Sequence, residues 1–419
     1  MSDIRLYKST PSGEISVCAS KSVAHRAVII AALSGGGVAV KNVTPSKDIY
    51  ATLRGLEALG IDFSYENNTV VIGKGEPLKN KKLSFNADES GSTLRFLIPV
   101  FTALNNETEF SGKGRLPNRP LDDYLQIFDK NEIEYEKGEG YLPLKVKGTF
   151  KYNTFEVKGN VSSQYITGLM LSALSRDEEI TINITTPLES KGYVEITKKV
   201  LEDFGHSVYF KENIIKVKKR TCKINEYTVE SDWSQGAFFL ALGAISGDVA
   251  LKNMNLSSFQ GDKEIVDILV KMGASVTIGD SFVRVKKSKL KGISTDVSSI
   301  PDLVPILSVL GAVAEGETRL YNGERLRYKE SDRIESVCAM LTEFGVNVKS
   351  GKDFILINGC ENFKNAVVDS YNDHRIVMSA SVLSALSEAT VIKSCEAVEK
   401  SYPDFFEDLY KLGIKGEII

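Results

Sequence analysis

Four segments that begin predicted helices are rich in hydroxyl and basic side chains. The start of a helix attracts anions, because its free N–H groups and its dipole both favour negative charge. Serine, asparagine and aspartate are also ordinary helix caps, so these residues alone have a purely structural interpretation. Capping does not account for the recurring lysine and arginine, since a cation at a helix N-terminus opposes the dipole. We therefore expect a shared anionic ligand at four clusters: Lys21, Ser22 and Arg26; Ser90, Gly91, Ser92 and Arg95; Ser162, Ser163 and Gln164; and Asn372, Asp373, His374 and Arg375.

Further cations lie in three loops, and each loop alone is more often a solvated surface run than a site. The stretch YKESDR is the most specific, because it combines a cation, an acid and an arginine in one turn before an apolar helix. Arginine suits bidentate recognition of carboxylate or phosphate, and lysine serves as a point charge. The loops contain Arg115 and Arg119; Arg325, Arg327, Lys329, Glu330 and Arg333; and Lys400.

Asp302 lies between two prolines in the segment SIPDLVP, at the start of another predicted helix. Aspartate is a common helix cap, and this interpretation accounts for the residue without any chemistry. A carboxylate among so many cations is equally suited to serve as a general base. Both interpretations stay open on the residues alone.

Several classes of protein lack support in the sequence. The chain contains no GxxxxGK[ST] loop, no GxGxxG after a strand and no HExxH motif. Its three histidines and five scattered cysteines argue against a metal centre or a disulfide framework, and we expect no cofactor. The net charge of −3 provides no general attraction for nucleic acid or an anionic membrane. With no apolar run long enough to span a membrane and no secretory signal, we expect a cytoplasmic protein.

A repeated unit of roughly 70 residues organises the chain. One segment type is an amphipathic helix that ends in a small residue and continues into a hairpin, as in LEALGIDF, LEDFGHSV and LTEFGVNV. Glycine or asparagine suits that end, because both accept the left-handed backbone conformation. A second segment type, an apolar helix followed by a strand, precedes each copy. The predicted helix ends are Gly60, Asn131, Gly205, Gly273, Gly345 and Gly413.

Each unit thus has the order strand–helix–strand–helix–strand–strand, and six units in 419 residues give three for each of two domains. Helices with few polar positions, such as 168–174 and 237–245, are suited to burial on most sides. We therefore predict an α/β (α+β) fold of two domains of three βαβαββ units each, like an inverse α/β barrel with helices inside and sheets outside. An open solenoid is the alternative, but the chain lacks obvious capping repeats.

Nine stretches of the chain, taken in order, resemble the enolpyruvyl transferases. They are SKSVAHR, ESGSTLRF, GRLPNRP, VSSQYITGLM, LESKGYVEIT, SIPDLVP, YKESDR, YNDHR and EKSYPDFF, and they extend over essentially the whole chain. The resemblance implies the same two-domain fold. It also implies transfer of the enolpyruvyl group of phosphoenolpyruvate to the 5-hydroxyl of 3-phosphoshikimate by addition and elimination, with release of phosphate.

The same resemblance implies roles for individual residues. Asp302 would remove the proton of the 5-hydroxyl, Glu330 would protonate the methylene carbon of phosphoenolpyruvate, and Lys21 would assist. The residues implied for 3-phosphoshikimate are Lys21, Ser22, Arg26, Ser162, Ser163, Gln164, Ser190, Tyr193, Asp302 and Lys329. Those implied for phosphoenolpyruvate are Lys21, Gly91, Arg119, Gln164, Arg333, Arg375 and Lys400. The chain departs from the family pattern at Arg325 and Glu89, where many members carry asparagine.

The resemblance also implies that the chain crosses twice between its domains. Residues 1–18 and 232–419 would form a discontinuous lobe with the phosphoenolpyruvate-side cations and the general base. Residues 19–231 would form an inserted lobe for 3-phosphoshikimate, with the active site in the cleft between the lobes. We expect a monomer that binds these two small molecules, and neither nucleic acid nor a membrane.

Two other functions stay open. A sister enzyme transfers the enolpyruvyl group to a UDP-linked amino sugar. Such enzymes usually carry a cysteine in the loop that matches GKGRLPNRP, and no cysteine occurs between Cys18 and Cys222. A noncatalytic anion-binding or RNA-binding protein of related build would need a basic face with stacking aromatic side chains. It would not need Asp302 and Glu330.

Overall fold

The structure is a computed structural model that describes residues 2–419. Its strands are short, with three to five residues each. In chain order they are β1 Ile4–Tyr7, β2 Ser12–Ile15, β3 Val38–Lys41, β4 Phe63–Glu66, β5 Thr69–Ile72, β6 Lys82–Asn86, β7 Glu107–Ser111, β8 Glu134–Lys137, β9 Leu144–Lys147, β10 Thr154–Val157, β11 Ile180–Ile184, β12 Ser207–Lys211, β13 Ile214–Lys218, β14 Glu226–Thr228, β15 Asp248–Leu251, β16 Ser275–Ile278, β17 Val283–Lys286, β18 Ser294–Asp296, β19 Glu317–Tyr321, β20 Asn347–Ser350, β21 Ile355–Asn358, β22 Ala366–Asp369, β23 Ala389–Lys393 and β24 Lys415–Ile418.

The α-helices alternate with these strands. They are α1 Lys21–Leu33, α2 Lys47–Ala58, α3 Gly91–Ala103, α4 Asp122–Asn131, α5 Ser163–Ser172, α6 Lys191–Asp203, α7 Trp233–Ser246, α8 Ile265–Lys271, α9 Val304–Val313, α10 Arg333–Glu343, α11 His374–Leu383 and α12 Phe405–Lys411. Among residues 2–419, no helix combines the length and the apolar character that crossing a membrane would require.

Within the described range the strands form six four-stranded sheets with one shared pattern. The first two strands in spatial order are parallel, and the third and fourth are each antiparallel to their neighbour. In the sheet β6-β7-β9-β8, for example, α3 connects the parallel pair and the β8–β9 hairpin completes the sheet. This order confirms the predicted unit. The other sheets are β10-β11-β13-β12, β14-β3-β5-β4, β2-β15-β17-β16, β18-β19-β21-β20 and β22-β23-β1-β24.

Three of these sheets take a strand from a distant part of the sequence. β14 pairs in parallel with β3, with Glu226 opposite Ala39 and Thr228 opposite Lys41, although these strands lie near opposite ends of the inserted part of the sequence. β1 pairs with β23 and β24, and β2 pairs with β15. The N-terminal segment therefore belongs with the C-terminal half of the chain.

The chain divides into two compact units, each with its own hydrophobic core. The inserted unit is Ala19–Glu230, and the terminal unit consists of the residues up to Cys18 together with Ser231–Ile419. Helices α1 to α6 and three sheets form the inserted unit, and helices α7 to α12 and the other three sheets form the terminal unit.

In each unit, helices form the centre and sheets surround them. All 14 residues of α7 are buried, and α1, α3, α5, α9 and α11 are buried over most of their length. Strands such as β9 and β10 alternate between buried and exposed residues, so one face of a sheet packs inward and the other faces solvent. A helix buried on every side needs apolar residues around its whole circumference. The predicted arrangement of helices inside and sheets outside is confirmed.

The helix ends also follow the repeat, with one exception. The prediction was wrong at Asn131, because the left-handed residue there is Glu132, with a φ of 56°. Asn131 instead remains in α4, where its side chain donates to the Ile127 carbonyl at 2.8 Å and accepts from the Lys151 amide at 3.0 Å. The buried amide thus connects α4 to the segment before β10. The predicted left-handed conformation occurs at Gly60, Gly205, Gly273, Gly345 and Gly413.

Candidate active site

In the terminal unit, three helix starts position the predicted residues. Asp302 lies in the 3₁₀ turn Pro301–Leu303, which leads directly into α9. Arg333 is the first residue of α10 and Arg375 the second residue of α11. Asp332 caps α10 and Asp373 caps α11, since each carboxylate accepts backbone N–H groups of the first turn. These acids offset the unfavourable interaction of the arginines with the helix dipoles.

The guanidinium of Arg333 is the centre of this cluster, with only 1% of its side chain exposed. Its Nε donates to Asp373 Oδ2 at 2.9 Å. Its Nη1 donates to Asp302 Oδ1 and its Nη2 to Glu330 Oε2, both at 2.7 Å. Burial opposes the charge of Arg333, but these three carboxylates more than offset burial and raise its pKa. Arg333 therefore remains charged and holds Asp302 and Glu330 in a fixed relation to each other.

Asp302 contacts two further cations. Lys329 Nζ lies 3.2 Å from Asp302 Oδ1, and Arg375 Nη2 lies 3.4 Å from Oδ2. Arg375 Nη1 also donates to the backbone oxygen of Asp302 at 2.8 Å. Burial lowers the pKa of Lys329, while the charge of Asp302 opposes that shift. The carboxylate is thus held in place, yet with 19% of its side chain exposed it remains partly accessible.

Ser234 and Asp262, which the sequence analysis does not single out, lie next to Arg375. Arg375 Nη2 donates to Ser234 Oγ at 2.7 Å, and Ser234 is also hydrogen-bonded to the buried Asp262. Burial raises the pKa of Asp262 to about 7, and the nearby charge of Asp302 adds to the shift. No sequence pattern marks either residue, because Ser234 lies in an ordinary helix start and Asp262 in the short polar 3₁₀ segment Gly261–Glu264.

Lys400 adds a cation at the helix start that carries Arg375. It is the last residue of the 3₁₀ segment Cys395–Lys400 and is 8% exposed. Its Nζ donates to the backbone oxygen of Asn372 at 2.6 Å, one residue before the cap of α11. The start of α11 therefore carries two cations from different parts of the sequence.

In the inserted unit, Arg26 is buried among neutral oxygens. Its Nε donates to Thr197 Oγ1 at 2.7 Å, and its Nη1 donates to the Ser22 carbonyl at 2.6 Å. Its Nη2 donates to Thr167 Oγ1 and to the Tyr193 carbonyl at 3.2 and 3.1 Å. Burial lowers the pKa of Arg26 to about 9. Arg26 thus connects α1 to α5 and α6, with four of its N–H groups donating to protein oxygens.

Lys21, the first residue of α1, forms an ion pair with Asp48 of α2, with 2.8 Å between Nζ and Oδ2. Sequence reasoning missed Asp48, because an acid in the first turn of a helix is expected from the dipole alone. Ser22 is partly exposed next to Lys21. The pair holds the lysine at the start of α1, close to the Ser22 carbonyl that accepts Arg26.

Gly91, the first residue of α3, packs directly against the guanidinium of Arg119. A Cβ at position 91 would lie 2.6 Å from Arg119 Nη1 and 2.9 Å from its Cζ, so any side chain there would require the guanidinium to move. Arg119 follows the 3₁₀ turn Leu116–Asn118 and is 8% exposed. Glycine at 91 therefore allows the cation to lie against the start of a helix.

The start of α5 positions three predicted residues. Ser162 caps the helix, because its Oγ accepts the backbone N–H of Gln164 at 3.3 Å. Ser163 is buried. The side chain of Gln164 accepts from Arg95 Nη1 and donates to Ser92 Oγ, both at 2.9 Å. The side-chain amide of Gln164, in α5, is thus held by two residues of α3.

Ser190 and Tyr193 lie at the start of α6. Ser190 is buried and has a left-handed φ of 52°, a conformation that costs energy in residues other than glycine. The Tyr193 amide donates to the Ser190 carbonyl at 3.1 Å. Because the Tyr193 carbonyl accepts Arg26, this turn is fixed to α1.

The family model described as EPSP synthase (3-phosphoshikimate 1-carboxyvinyltransferase) matches residues 8–409. The chain belongs to the EPSP synthase family.

Curated relatives of this EPSP synthase family member are similar over nearly their whole length. A 3-phosphoshikimate 1-carboxyvinyltransferase from Clostridium novyi (strain NT) is 44% identical, covering 99% of this chain and 98% of the relative. One from Clostridioides difficile (strain 630) is 38% identical with the same coverage.

Solved structures support the fold of the EPSP synthase family. An EPSP synthase from Acinetobacter baumannii superposes with a TM-score of 0.82 at 25% identity, covering both chains completely. The enolpyruvyl transferase NikO from Streptomyces tendae gives a TM-score of 0.79 at 15% identity, covering 100% of this chain and 99% of that one. At that identity the second likeness concerns the fold alone.

The predicted EPSP synthase residues fall into contact groups within each unit. In the terminal unit, Asp302 and Arg333 are the centre of one connected group that also contains Lys329, Glu330 and Arg375. In the inserted unit the groups are smaller: Ser22, Arg26 and Tyr193; Gly91 and Arg119; Gln164 with Ser92 and Arg95; and Lys21 with Asp48. Arg325, which departs from the family pattern, donates to the backbone oxygen of Ser298. No group of three or more His, Cys, Asp or Glu side chains in residues 2–419 is arranged to hold a metal ion.

Proposed function

We infer that the chain transfers the enolpyruvyl group of phosphoenolpyruvate to the 5-hydroxyl of 3-phosphoshikimate and releases phosphate. The observation that carries this conclusion is the similarity to proteins named 3-phosphoshikimate 1-carboxyvinyltransferase, at 44% identity over 99% of the chain. The reaction belongs to the shikimate pathway of aromatic amino-acid biosynthesis. Both substrates are small molecules with a phosphate and a carboxylate each, and such anions suit the cation-rich helix starts.

The terminal unit would supply the general base and the proton donor. Asp302 would accept the proton of the 5-hydroxyl, and Glu330 would protonate the methylene carbon. The geometry that supports this pair is their common contact with Arg333, which holds both carboxylates at 2.7 Å. Arg333, Arg375 and Lys400 would bind phosphoenolpyruvate, and Lys329 would bind next to the 5-hydroxyl.

The inserted unit would supply most contacts to 3-phosphoshikimate. We propose Lys21, Ser22, Arg26, Ser162, Ser163, Gln164, Ser190 and Tyr193 for this role. Lys21 would contact both substrates, and Gly91, Arg119 and Gln164 would contribute to phosphoenolpyruvate. Support comes from their placement at four helix starts, where backbone N–H groups and cations both favour anions.

The proposed reaction proceeds by addition and then elimination. A proton from Glu330, assisted by Lys21, moves to C3 of phosphoenolpyruvate while the 5-oxygen, having lost its proton to Asp302, bonds to C2. The tetrahedral intermediate then loses the C3 proton and its carbon–oxygen bond to phosphate, and the enol double bond forms again. The added proton returns to the enzyme, and the 5-hydroxyl proton leaves with phosphate, so protons and bonds balance.

The charges show what substrate binding must change. Two phosphates and two carboxylates bring about −5 to −6. Seven proposed cations face them, namely Lys21, Arg26, Arg119, Lys329, Arg333, Arg375 and Lys400. Four carboxylates, those of Asp48, Asp302, Glu330 and Asp373, already contact these cations. These carboxylates compete with the substrates for the same cations, so we expect the substrates to draw Lys21 and Lys329 out of their present ion pairs.

Phosphate release from phosphoenolpyruvate tests the proposal directly. We expect release with 3-phosphoshikimate and none with a UDP-linked amino sugar. Release with the amino sugar alone would assign the chain to the other transferase reaction. Absence of release with either acceptor, together with binding of RNA, would support the noncatalytic alternative.

We further propose that the protein works as a monomer in the cytoplasm, without nucleic acid. The net charge of −3 supports the last point, since it provides no general attraction for a polyanion. Among the described residues, no disulfide joins Cys18, Cys222, Cys338, Cys360 or Cys395, as is usual in a reducing compartment.

A further inference from the structure

Arg95 is a buried arginine of α3 that the proposed reaction does not use. Its side chain is 4% exposed. Its Nη1 donates to Gln164 Oε1 at 2.9 Å, and its Nη2 donates to the Pro120 carbonyl at 3.0 Å. The guanidinium carbon lies 5.4 Å from the centre of the Tyr165 ring. Arg95 thus joins the side chain of Gln164 to the residue that directly follows Arg119.

These contacts decide which way the Gln164 amide faces. A guanidinium has only donors, so the amide atom next to Arg95 must be the carbonyl oxygen. The amide nitrogen is then on the other side, where it donates one hydrogen to Ser92 Oγ at 2.9 Å. The Gln164 side chain consequently has a second N–H to offer and its oxygen already engaged. In this orientation the second N–H suits an anionic oxygen of a ligand.

We propose that Arg95 is a positioning residue for phosphate or carboxylate binding, which orients Gln164 as a hydrogen-bond donor. This inference rests on the proposed function, in which Gln164 contacts the substrates. Arg95 acts through Gln164 and does not itself touch the substrates. Its second contact holds the guanidinium in place, because the Pro120 carbonyl accepts both Arg95 Nη2 and the hydroxyl of Tyr165, the residue next to Gln164.

The inserted unit contains a matched control. Arg176 has the same three kinds of contact: its Nε donates to the side-chain oxygen of Asn153 at 3.0 Å, and its Nη1 donates to the Phe150 carbonyl at 3.2 Å. Its guanidinium carbon lies 5.9 Å from the centre of the Phe150 ring. None of these residues belongs to the proposed site. Replacing Arg176 therefore measures what loss of such an arginine does to the fold alone.

The test is a double-mutant cycle on the full-length protein, with phosphate release, KM for each substrate and thermal unfolding as readouts. Gln164→Ala removes a hydrogen bond to a charged group, and we expect about a tenfold rise in a substrate KM. Arg95→Met should raise the same KM by about five- to tenfold, and Arg95→Met/Gln164→Ala should be no worse than Gln164→Ala. Arg176→Met should leave KM within about twofold of the original value.

Each outcome separates the inference from the proposed function. No phosphate release by the unaltered protein would overturn the proposed function. An unchanged KM in Gln164→Ala would overturn the role of Gln164 and the inference with it. If the two single effects on KM multiply, the double variant will show a KM about 50- to 100-fold higher than the original protein. That result would overturn the inference and leave the proposed function standing.

A second variant covers the case in which Arg95→Met does not fold. Gln164→Glu retains the contact with Arg95 as an ion pair but has no N–H to donate. We expect thermal unfolding at or above the original temperature together with a KM at least about tenfold higher. A folded Gln164→Glu protein with an unchanged KM would overturn the inference.

Discussion

Arg333 Nη1 lies 2.7 Å from a carboxylate oxygen of Asp302, and Arg333 Nη2 lies at the same distance from a carboxylate oxygen of Glu330. One buried cation therefore sets the spacing of the two acids to which we assign opposite proton transfers. Because Asp373 fixes the Nε side of the same guanidinium, the arrangement does not depend on bound substrate. The protein itself thus holds the carboxylates of Asp302 and Glu330 in a fixed relation to each other.

The first prediction concerns Asp302 as the general base. Asp302→Asn retains an oxygen that can accept Arg333 Nη1 but cannot take up a proton. We expect kcat to fall by about 10²- to 10⁴-fold, with the loss in kcat and not in KM. Steady-state phosphate release measures both constants. Asp296→Asn is the control, since Asp296 is exposed at the end of β18 and accepts hydrogen bonds from the Ser298 backbone and the Asn322 side chain. Turnover near normal in Asp302→Asn would remove Asp302 as the base.

The second prediction concerns the stability that Arg333 confers. Arg333→Met leaves Asp373, which is fully buried, without its cation, and we expect the free energy of unfolding to fall by about 3–5 kcal/mol. Urea unfolding followed by the fluorescence of Trp233 is a specific measurement, because this only tryptophan of the sequence is buried in the terminal unit. Arg5→Met is the control, since the Arg5–Glu417 pair is exposed and should matter little. Equal losses in both variants would contradict the prediction.

The third prediction concerns the pH dependence of stability through Asp262. Its pKa of about 7 in the folded protein exceeds the ordinary value of about 4, so folding favours the protonated acid. The resulting contribution to stability is complete below pH 4 and is lost as the pH rises through 7. The groups facing Asp262 are Asp302, Arg375, Ser234 and Asp232, and burial is the larger cause.

Asp262→Asn should therefore abolish this pH dependence. Relative to the variant, the original protein should lose up to about 4 kcal/mol of unfolding free energy between pH 4 and pH 7. Urea unfolding by Trp233 fluorescence at several pH values measures the difference. Asp267 lies on the exposed side of α8. The unfolding free energy of Asp267→Asn should therefore change with pH in the same way as that of the original protein. Parallel profiles for Asp262→Asn as well would show that Asp262 does not titrate in this window.

The fourth prediction concerns the contact between Gly91 and Arg119. Gly91→Ala places a Cβ 2.6 Å from Arg119 Nη1, so the guanidinium must move. We expect KM for phosphoenolpyruvate to rise by about tenfold or more, because a displaced charged hydrogen bond costs at least that factor. Gly75→Ala is the control, since nothing lies within 4 Å of a Cβ at that position. An unchanged KM with a folded Gly91→Ala protein would remove Arg119 from the phosphoenolpyruvate contacts.

The sequence predicts the fold and the cations of the site better than it predicts the acids. The period of the helix ends requires left-handed residues at regular intervals, and five of the six positions have them. Basic residues at helix starts stand out because the dipole opposes them. Asp48 does not stand out, because an acid at a helix start is what the dipole and capping require, and Asp373 is marked only as part of the cluster that contains Arg375. Their second role, holding Lys21 and Arg333, depends on contacts across the unit that no local pattern contains.

The sequence also did not predict that β14 completes the sheet of β3, β4 and β5. β14 contributes only Glu226–Thr228 to its sheet, and three residues carry too little pattern to identify a pairing strand. Asn131 shows the limit of the repeat itself, since its buried amide contacts override the turn position that the period assigns. Arg95 was recognised as a basic residue at a helix start, yet its contact with Gln164 joins two different repeats and depends on the packing of α3 against α5.

The pairing of β1 with β24 has a consequence for synthesis on the ribosome. Ile4 is opposite Ile418 in that register. β1 is synthesised early, and it cannot pair with β24 until β24 has been synthesised. The inserted unit contains all of its own strands and can fold while the rest of the chain is still being made. We therefore expect nascent chains that end near residue 300 to hold a folded inserted unit and an N-terminal segment still open to protease. Completion of the terminal unit would then be the last and slowest step, because its sheets close the longest loops in the chain.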